Sequence, residues 1–149
     1  MSEAQLTKRL YTAYAIGVGG RGGHTRNSDG VVDVELSVPK SMGGPGKAGT
    51  TTPEDLFAAG YAACFGSACE YVAKSVLKLQ LSKLEVHSSV TIGQTVPSGF
   101  GLEVTLTVHA AGIDRDDANE LVQTAHRICP YSNAIRGNVK VTLDFNVED

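Results

Sequence analysis

Two stretches of strict alternation constrain this chain more than anything else in it. Leu84, Val86, Ser88, Val90 and Ile92 alternate with more polar neighbours, and Leu102, Val104, Leu106 and Val108 repeat the pattern. A period of two places each set on one face of an extended strand, so both strands have an apolar side to bury. Pro97-Ser98-Gly99 stands between them and marks a hairpin connection.

The rest of the chain supplies further strands and the helices to pack on them. Residues 10–18 read as a strand followed by a glycine-rich turn. Val32, Val34, Leu36 and Val38 alternate up to Pro39, and a glycine-rich loop fills 41–52. Pro53 stands where a first helical residue often does, with Thr52 as its cap. Residues 54–79 are mostly helix formers without proline, which predicts one long helix or two abutting ones. Asp114 caps a second helix reaching Ile128, with Ala118, Leu121, Val122 and Ala125 as its apolar stripe. Cys129 lies eleven residues past Ala118, close to three turns, so it falls on that buried stripe; Pro130 then stops the helix. Val139, Val141, Leu143, Phe145 and Val147 form a last strand. The order β-β-α-β-β-α-β is α+β, with antiparallel hairpins and helices packed on sheet. A length of 149 residues fits one domain, 1–149.

Composition excludes several functions. The net charge is −3 and no Lys/Arg cluster occurs, so nothing resembles a nucleic-acid footprint. No apolar run approaching ~18 residues stands out as a membrane span. The first fifteen residues lack the layout of a secretory signal, which makes the cytoplasm the expected location. Three cysteines is an odd count, and in a reducing compartment disulfides tend to be transient or catalytic.

Three motifs match known sites only in part. Gly17-Val18-Gly19-Gly20-Arg21-Gly22 has dinucleotide-loop spacing, but His24-Thr25-Arg26-Asn27-Ser28-Asp29-Gly30 after it is turn chemistry rather than the required helix. Gly46-Lys47 lacks both the following Ser/Thr and the upstream glycine of a phosphate loop. His126 and Cys129 share a helix three residues apart, yet no second Cys/His pair completes a metal site. A surface histidine near a helix C-terminus is the simpler account.

The cysteines carry the remaining chemistry. Cys64 sits among Ala62, Ala63, Gly66, Ser67 and Ala68, where a free thiol is commonly just a small buried apolar group. A reactive Cys64 needs a nearby cation, because a thiol of pKa about 8.5 is only a few per cent thiolate at neutral pH. An arginine serves, since it does not lose its own charge. Cys69 lies about 140° round the helix from Cys64, so the two cannot pair within an intact helix, and Cys69 reads as a packing residue.

Several segments together resemble one family. His126-Arg127-Ile128-Cys129-Pro130-Tyr131-Ser132-Asn133-Ala134-Ile135-Arg136-Gly137-Asn138 is similar to the signature of the organic hydroperoxide resistance (Ohr) branch of the Ohr/OsmC family. The run from Pro53 through Phe57-Ala58-Ala59-Gly60-Tyr61-Ala62-Ala63-Cys64-Phe65 resembles its reactive-cysteine segment. Gly19-Gly20-Arg21 resembles its arginine-bearing turn, and Phe100-Gly101-Leu102-Glu103-Val104 another shared stretch. Tyr131-Ser132-Asn133 favours the Ohr branch over the OsmC branch. Thr52, Ile135 and Cys69 depart from the family's usual Asn, Thr and Leu.

The resemblance implies an OsmC/Ohr-like fold: antiparallel sheets packed around central helices in an intertwined homodimer. It implies Cys64 as peroxidatic nucleophile, Cys129 as resolving thiol, Arg21 holding the thiolate and Glu54 orienting Arg21. Organic and fatty-acid hydroperoxides would be the substrates, with Phe57, Tyr61 and Phe65 as apolar lining. The implied reductant is dihydrolipoamide or a lipoylated protein, with no bound cofactor or metal. Ten residues of unbroken helix would separate Glu54 from Cys64 by about 15 Å. The expected resolution is a break over 58–61, weakest at Gly60, leaving Cys64 in a first helical turn; the alternative is a contact supplied by a partner chain. Two other functions are weighed: a redox sensor or hydrophobic-ligand carrier on the same fold, and a Cys/His hydrolase built on Cys129 and His126.

Overall fold

A computed structural model describes Glu3 and residues 5–148. The chain divides into two compact units, Met1–Pro53 and Glu54–Asp149.

The first unit holds a three-stranded antiparallel sheet, β1 (Ala15–Val18), β2 (His24–Asn27) and β3 (Asp33–Glu35), in that spatial order. β1 is shorter than the strand expected over 10–18, beginning at Ala15. β2 occupies a segment that reads locally as turn chemistry. Its register explains why it is a strand: His24 lies opposite Glu35 and Arg26 opposite Asp33, so its polar side chains find charged partners across the sheet. The β1–β2 turn is a single 3-10 turn, Gly20–Gly22, carrying Arg21. Gly19 and Gly20 have φ of 79° and 62°, backbone that glycine adopts without strain. No helix follows this glycine run, as its polar continuation indicates. Lys40–Met42 forms a second 3-10 turn inside the glycine-rich loop.

The second unit opens with α1 (Pro53–Tyr71), which passes into a π turn at Val72–Val76. Pro53 begins the helix where its missing N–H costs nothing. The helix runs without interruption through 58–61, so the break expected there does not exist. Gly60 has a different purpose: a Cβ on it would stand 3.0 Å from the hydroxyl of Tyr131. It makes room for an aromatic ring instead of weakening the helix. Cys64 is consequently mid-helix, far from any first turn.

β4 (Lys83–Gln94) and β5 (Phe100–Ala111) form the long hairpin, with Val86 opposite Val108 and Val90 opposite Val104. α2 (Arg115–Ile128) follows, capped by Asp114, whose carboxylate accepts from the Asp117 N–H at 2.8 Å. Cys129 is its C-cap and Pro130 the first residue of a short α3 (Pro130–Ile135). β6 (Lys140–Glu148) then joins β5 in parallel. Wholly antiparallel pairing is therefore overturned: α2 and α3 carry the chain back across the sheet, a crossover that a parallel pair requires.

Inward rows such as Val86, Val108 and Phe145 lie side by side on the three strands. They face Tyr61, Phe65, Cys69 and Val72 of the first helix and Leu121, Val122 and Ala125 of α2 in one core. The helical stretch Pro53–Val76 also has the length and hydropathy of a membrane span, contrary to the expectation from sequence. Tyr61, Phe65, Ala68, Cys69, Val72 and Ala73 are its buried members and pack into this core.

Candidate active site

α1 and the α2–α3 junction bring two sulfurs together. Cys64 is on the twelfth residue of α1 and Cys129 sits between α2 and α3. Their Sγ atoms are 3.6 Å apart, although 65 residues separate them in sequence. Cys129 is fully buried, as its place on the apolar stripe of α2 demands, and Cys64 is half-buried. The third thiol, Cys69, is fully buried in the core, where desolvation pushes its pKa up to about 12.

A cleft of about 480 Å³ opens beside Cys64, lined by Ser67, Ala68, Tyr71, Ile128 and Pro130. This corrects the lining expected from the helix sequence. Tyr61 and Phe65 have no exposed surface and belong to the core, while Phe57 packs against it. Residues three, four and seven positions after Cys64, rather than before it, share its open side.

Burial raises the Cys64 pKa, as does the adjacent Cys129 thiol. A hydrogen bond from the backbone N–H of Tyr131 acts the other way and favours the thiolate. Pro130 puts that N–H in place by starting α3 just after Cys129.

Behind the sulfurs lies a polar network that sequence reasoning missed. Tyr61 Oη is 2.6 Å from Ser132 Oγ, which is 2.8 Å from His126 Nδ1. The Arg136 guanidinium bonds the His126 carbonyl and the Asn133 side chain. Burial, and secondarily the Arg136 charge, lower the His126 pKa. The Tyr131 ring lies 5.8 Å from that of Tyr61 and 6.1 Å from that of Phe57. Ser132 was visible only as part of a family signature, and its 71-residue separation from Tyr61 gave no local signal. Among the described residues, no cluster of three His, Cys, Asp or Glu is placed to hold a metal.

Of the other expected site residues, Glu54 lies in the first turn of α1, ten residues and about 15 Å of helix before Cys64. Arg21 is half-buried on the Gly20–Gly22 turn of the first unit.

Comparison with known proteins places this arrangement. Residues 44–144 match the family model described as OsmC-like protein. The chain belongs to the OsmC-like family. It is 50% identical over 141 residues to the organic hydroperoxide resistance protein of Xanthomonas axonopodis pv. citri, covering 94% of this chain and 97% of that one. The organic hydroperoxide resistance protein OhrB of Bacillus subtilis is 46% identical, with 91% and 97% covered. A crystal structure from Legionella pneumophila, described as an organic hydroperoxide resistance protein OsmC, superposes with a TM-score of 0.87 at 47% identity, covering 94% of this chain and 100% of that one. The family's α+β architecture is thus shared along nearly the whole chain.

Proposed function

We propose that this protein protects against organic hydroperoxides as a thiol peroxidase. One observation carries the reading: two thiols at 3.6 Å, one of them opening onto a largely apolar cleft. Its relatives' names point the same way. The Cys64 thiolate attacks the outer oxygen of R–O–O–H, the O–O bond breaks, and the alcohol R–OH leaves with a proton. Cys64 remains as sulfenic acid. Cys129 condenses with it, releasing water and forming a Cys64–Cys129 disulfide. A dithiol, dihydrolipoamide or a lipoylated protein, then reduces the disulfide. Ala68, Tyr71, Ile128 and Pro130 suit an organic R group better than the bare hydroxyl of hydrogen peroxide.

The thiolate needs more support than one backbone N–H. Each pKa unit of lowering takes about 1.4 kcal/mol of preferential stabilisation of the anion. Arg21 is assigned that task and Glu54 the task of orienting its guanidinium through a charge-assisted pair. The active form proposed is a homodimer in the cytoplasm.

The decisive experiment measures consumption of cumene hydroperoxide and hydrogen peroxide with dihydrolipoamide as donor. Wild type should turn over and prefer the organic peroxide, and Cys64→Ser should be inactive. Mass spectrometry without reductant should find a single Cys64–Cys129 link. Oxidation once without turnover would instead identify a sensor, and activity retained in Cys64→Ser would sink the peroxidase.

A further inference from the structure

Each reacting sulfur has a polar side chain three residues away that the steps above do not use. Tyr61 precedes Cys64 by three residues, His126 precedes Cys129 by three, and Ser132 follows Cys129 by three. The fold links these three flanking groups in one chain, at 2.6 Å and 2.8 Å. Tyr61 and Ser132 are fully buried.

Ser132 is the middle member of the chain: its hydroxyl donates one hydrogen bond and accepts another, so it joins Tyr61 Oη to His126 Nδ1 whichever tautomer His126 adopts. Each link satisfies a donor that burial would otherwise leave without a partner, so the three groups hold together as a unit. Mechanically the unit joins α1 to α3, and the Cys64-bearing face of one to the Cys129 junction of the other.

We propose that the Tyr61–Ser132–His126 chain is a positioning device for the resolving step, clamping α3 to α1 so that the Cys129 thiol stays within reach of oxidised Cys64. This rests on the thiol peroxidase reading and adds a role for three residues outside the reacting pair. In resolution the Cys64 S–O bond breaks, the S–S bond forms, and the Cys129 proton leaves with the hydroxyl as water. The sulfurs move from 3.6 Å to about 2.05 Å. The competing reaction is attack of the Cys64 sulfenic acid on the outer oxygen of a second hydroperoxide, which breaks that O–O bond and gives a sulfinic acid and an alcohol. These two fates of one intermediate compete on position. A loosened α3 lengthens the wait for Cys129 and diverts Cys64 to the sulfinic acid.

The test uses the full chain, oxidised with excess cumene hydroperoxide, and reads Cys64 by mass spectrometry as disulfide or sulfinic acid. Tyr61→Phe keeps the ring and removes only the hydroxyl; Ser132→Ala removes the central link. The ratio of sulfinic acid to disulfide should rise about fivefold or more in each, the factor that loss of one ordinary hydrogen bond implies. The double variant should be no worse than either single one, because both break the same chain. Wild-type ratios in both variants, or additive effects, overturn the clamp while leaving the peroxidase intact. If wild type forms no Cys64–Cys129 disulfide at all, the underlying reading falls as well.

Discussion

Three free cysteines end up in different environments, and burial alone does not sort them. Cys69 and Cys129 are both fully buried, yet only Cys129 meets another thiol, because it caps α2 where the chain turns back. Its burial could be read from helical spacing; its partner could not, since no local pattern reports a neighbour 65 residues away. Family resemblance supplied that pairing. With its pKa pushed up to about 12 and no path to solvent, Cys69 should resist iodoacetamide at pH 8 under conditions that label Cys64 of the reduced protein. Peptide mapping checks this, and Cys69→Ala should keep full peroxide turnover at a stability cost of about 1 kcal/mol. His126 offers a second residue-scale measurement. Burial and Arg136 hold its folded pKa below 6.5, so the unfolded chain takes up its proton first as pH falls. Its contribution to stability is present above about pH 6.5 and is lost as pH drops towards the folded pKa. Urea unfolding at pH 7.5 and 5.0 should show a smaller loss in His126→Gln than in wild type. His24 has the opposite sign, since Glu35 and Asp33 raise its pKa. Its contribution is present below 6.5 and is lost as pH rises through its folded pKa.

Elements with strong periodicity stood out clearly in the sequence, and elements held by partners did not. β4, β5, β6 and α2 follow from alternation, spacing and the Asp114 cap. β2 lacked that signal because it is stabilised by cross-strand charge, and Gly60 misled because a glycine in a helix reads as a weak point until its neighbour is known. Ser88 is the instructive residue within β4. Its position in the alternation assigns it to the inward face, beside Leu106 and through it Leu143. Its hydroxyl is buried there without a hydrogen-bond partner among the described residues. A buried, unpaired hydroxyl carries a desolvation penalty of about 1–3 kcal/mol, and alanine removes it while keeping the Cβ. Ser88→Ala should therefore stabilise the protein by about 1 kcal/mol, seen as a higher denaturation midpoint with an unchanged urea slope. A lower midpoint would mean that the hydroxyl is paired in solution.

At the scale of the whole molecule the unbroken α1 becomes the constraint that matters. Glu54 and Cys64 lie about 15 Å apart along one helix, a span that a single guanidinium does not bridge. If Arg21 pairs with Glu54 and also stabilises a Cys64 thiolate, the thiolate belongs to a second copy of the chain. The first unit has a surface in keeping with such a copy: Leu10 is 84% exposed, Tyr11 86% and Val31 84%, and all four residues of β1 are exposed. Exposed apolar side chains of this kind are available to a protein partner, and a symmetric dimer is the commonest way to cover them. Sedimentation should give twice the 15.6 kDa chain mass, and Leu10→Glu with Tyr11→Glu should shift it towards the monomer. Co-expression then tests the shared site. Arg21→Ala and Cys64→Ser should each be inactive alone. In their heterodimer one site has lost both residues and the other keeps Cys64 from one chain and Arg21 from its partner. Random pairing makes half of the dimers mixed, so roughly a quarter of wild-type turnover should return. Were Arg21 to serve the cysteine of its own chain, every site in the mixture would lack one residue or the other, and turnover would stay at the level of the single variants.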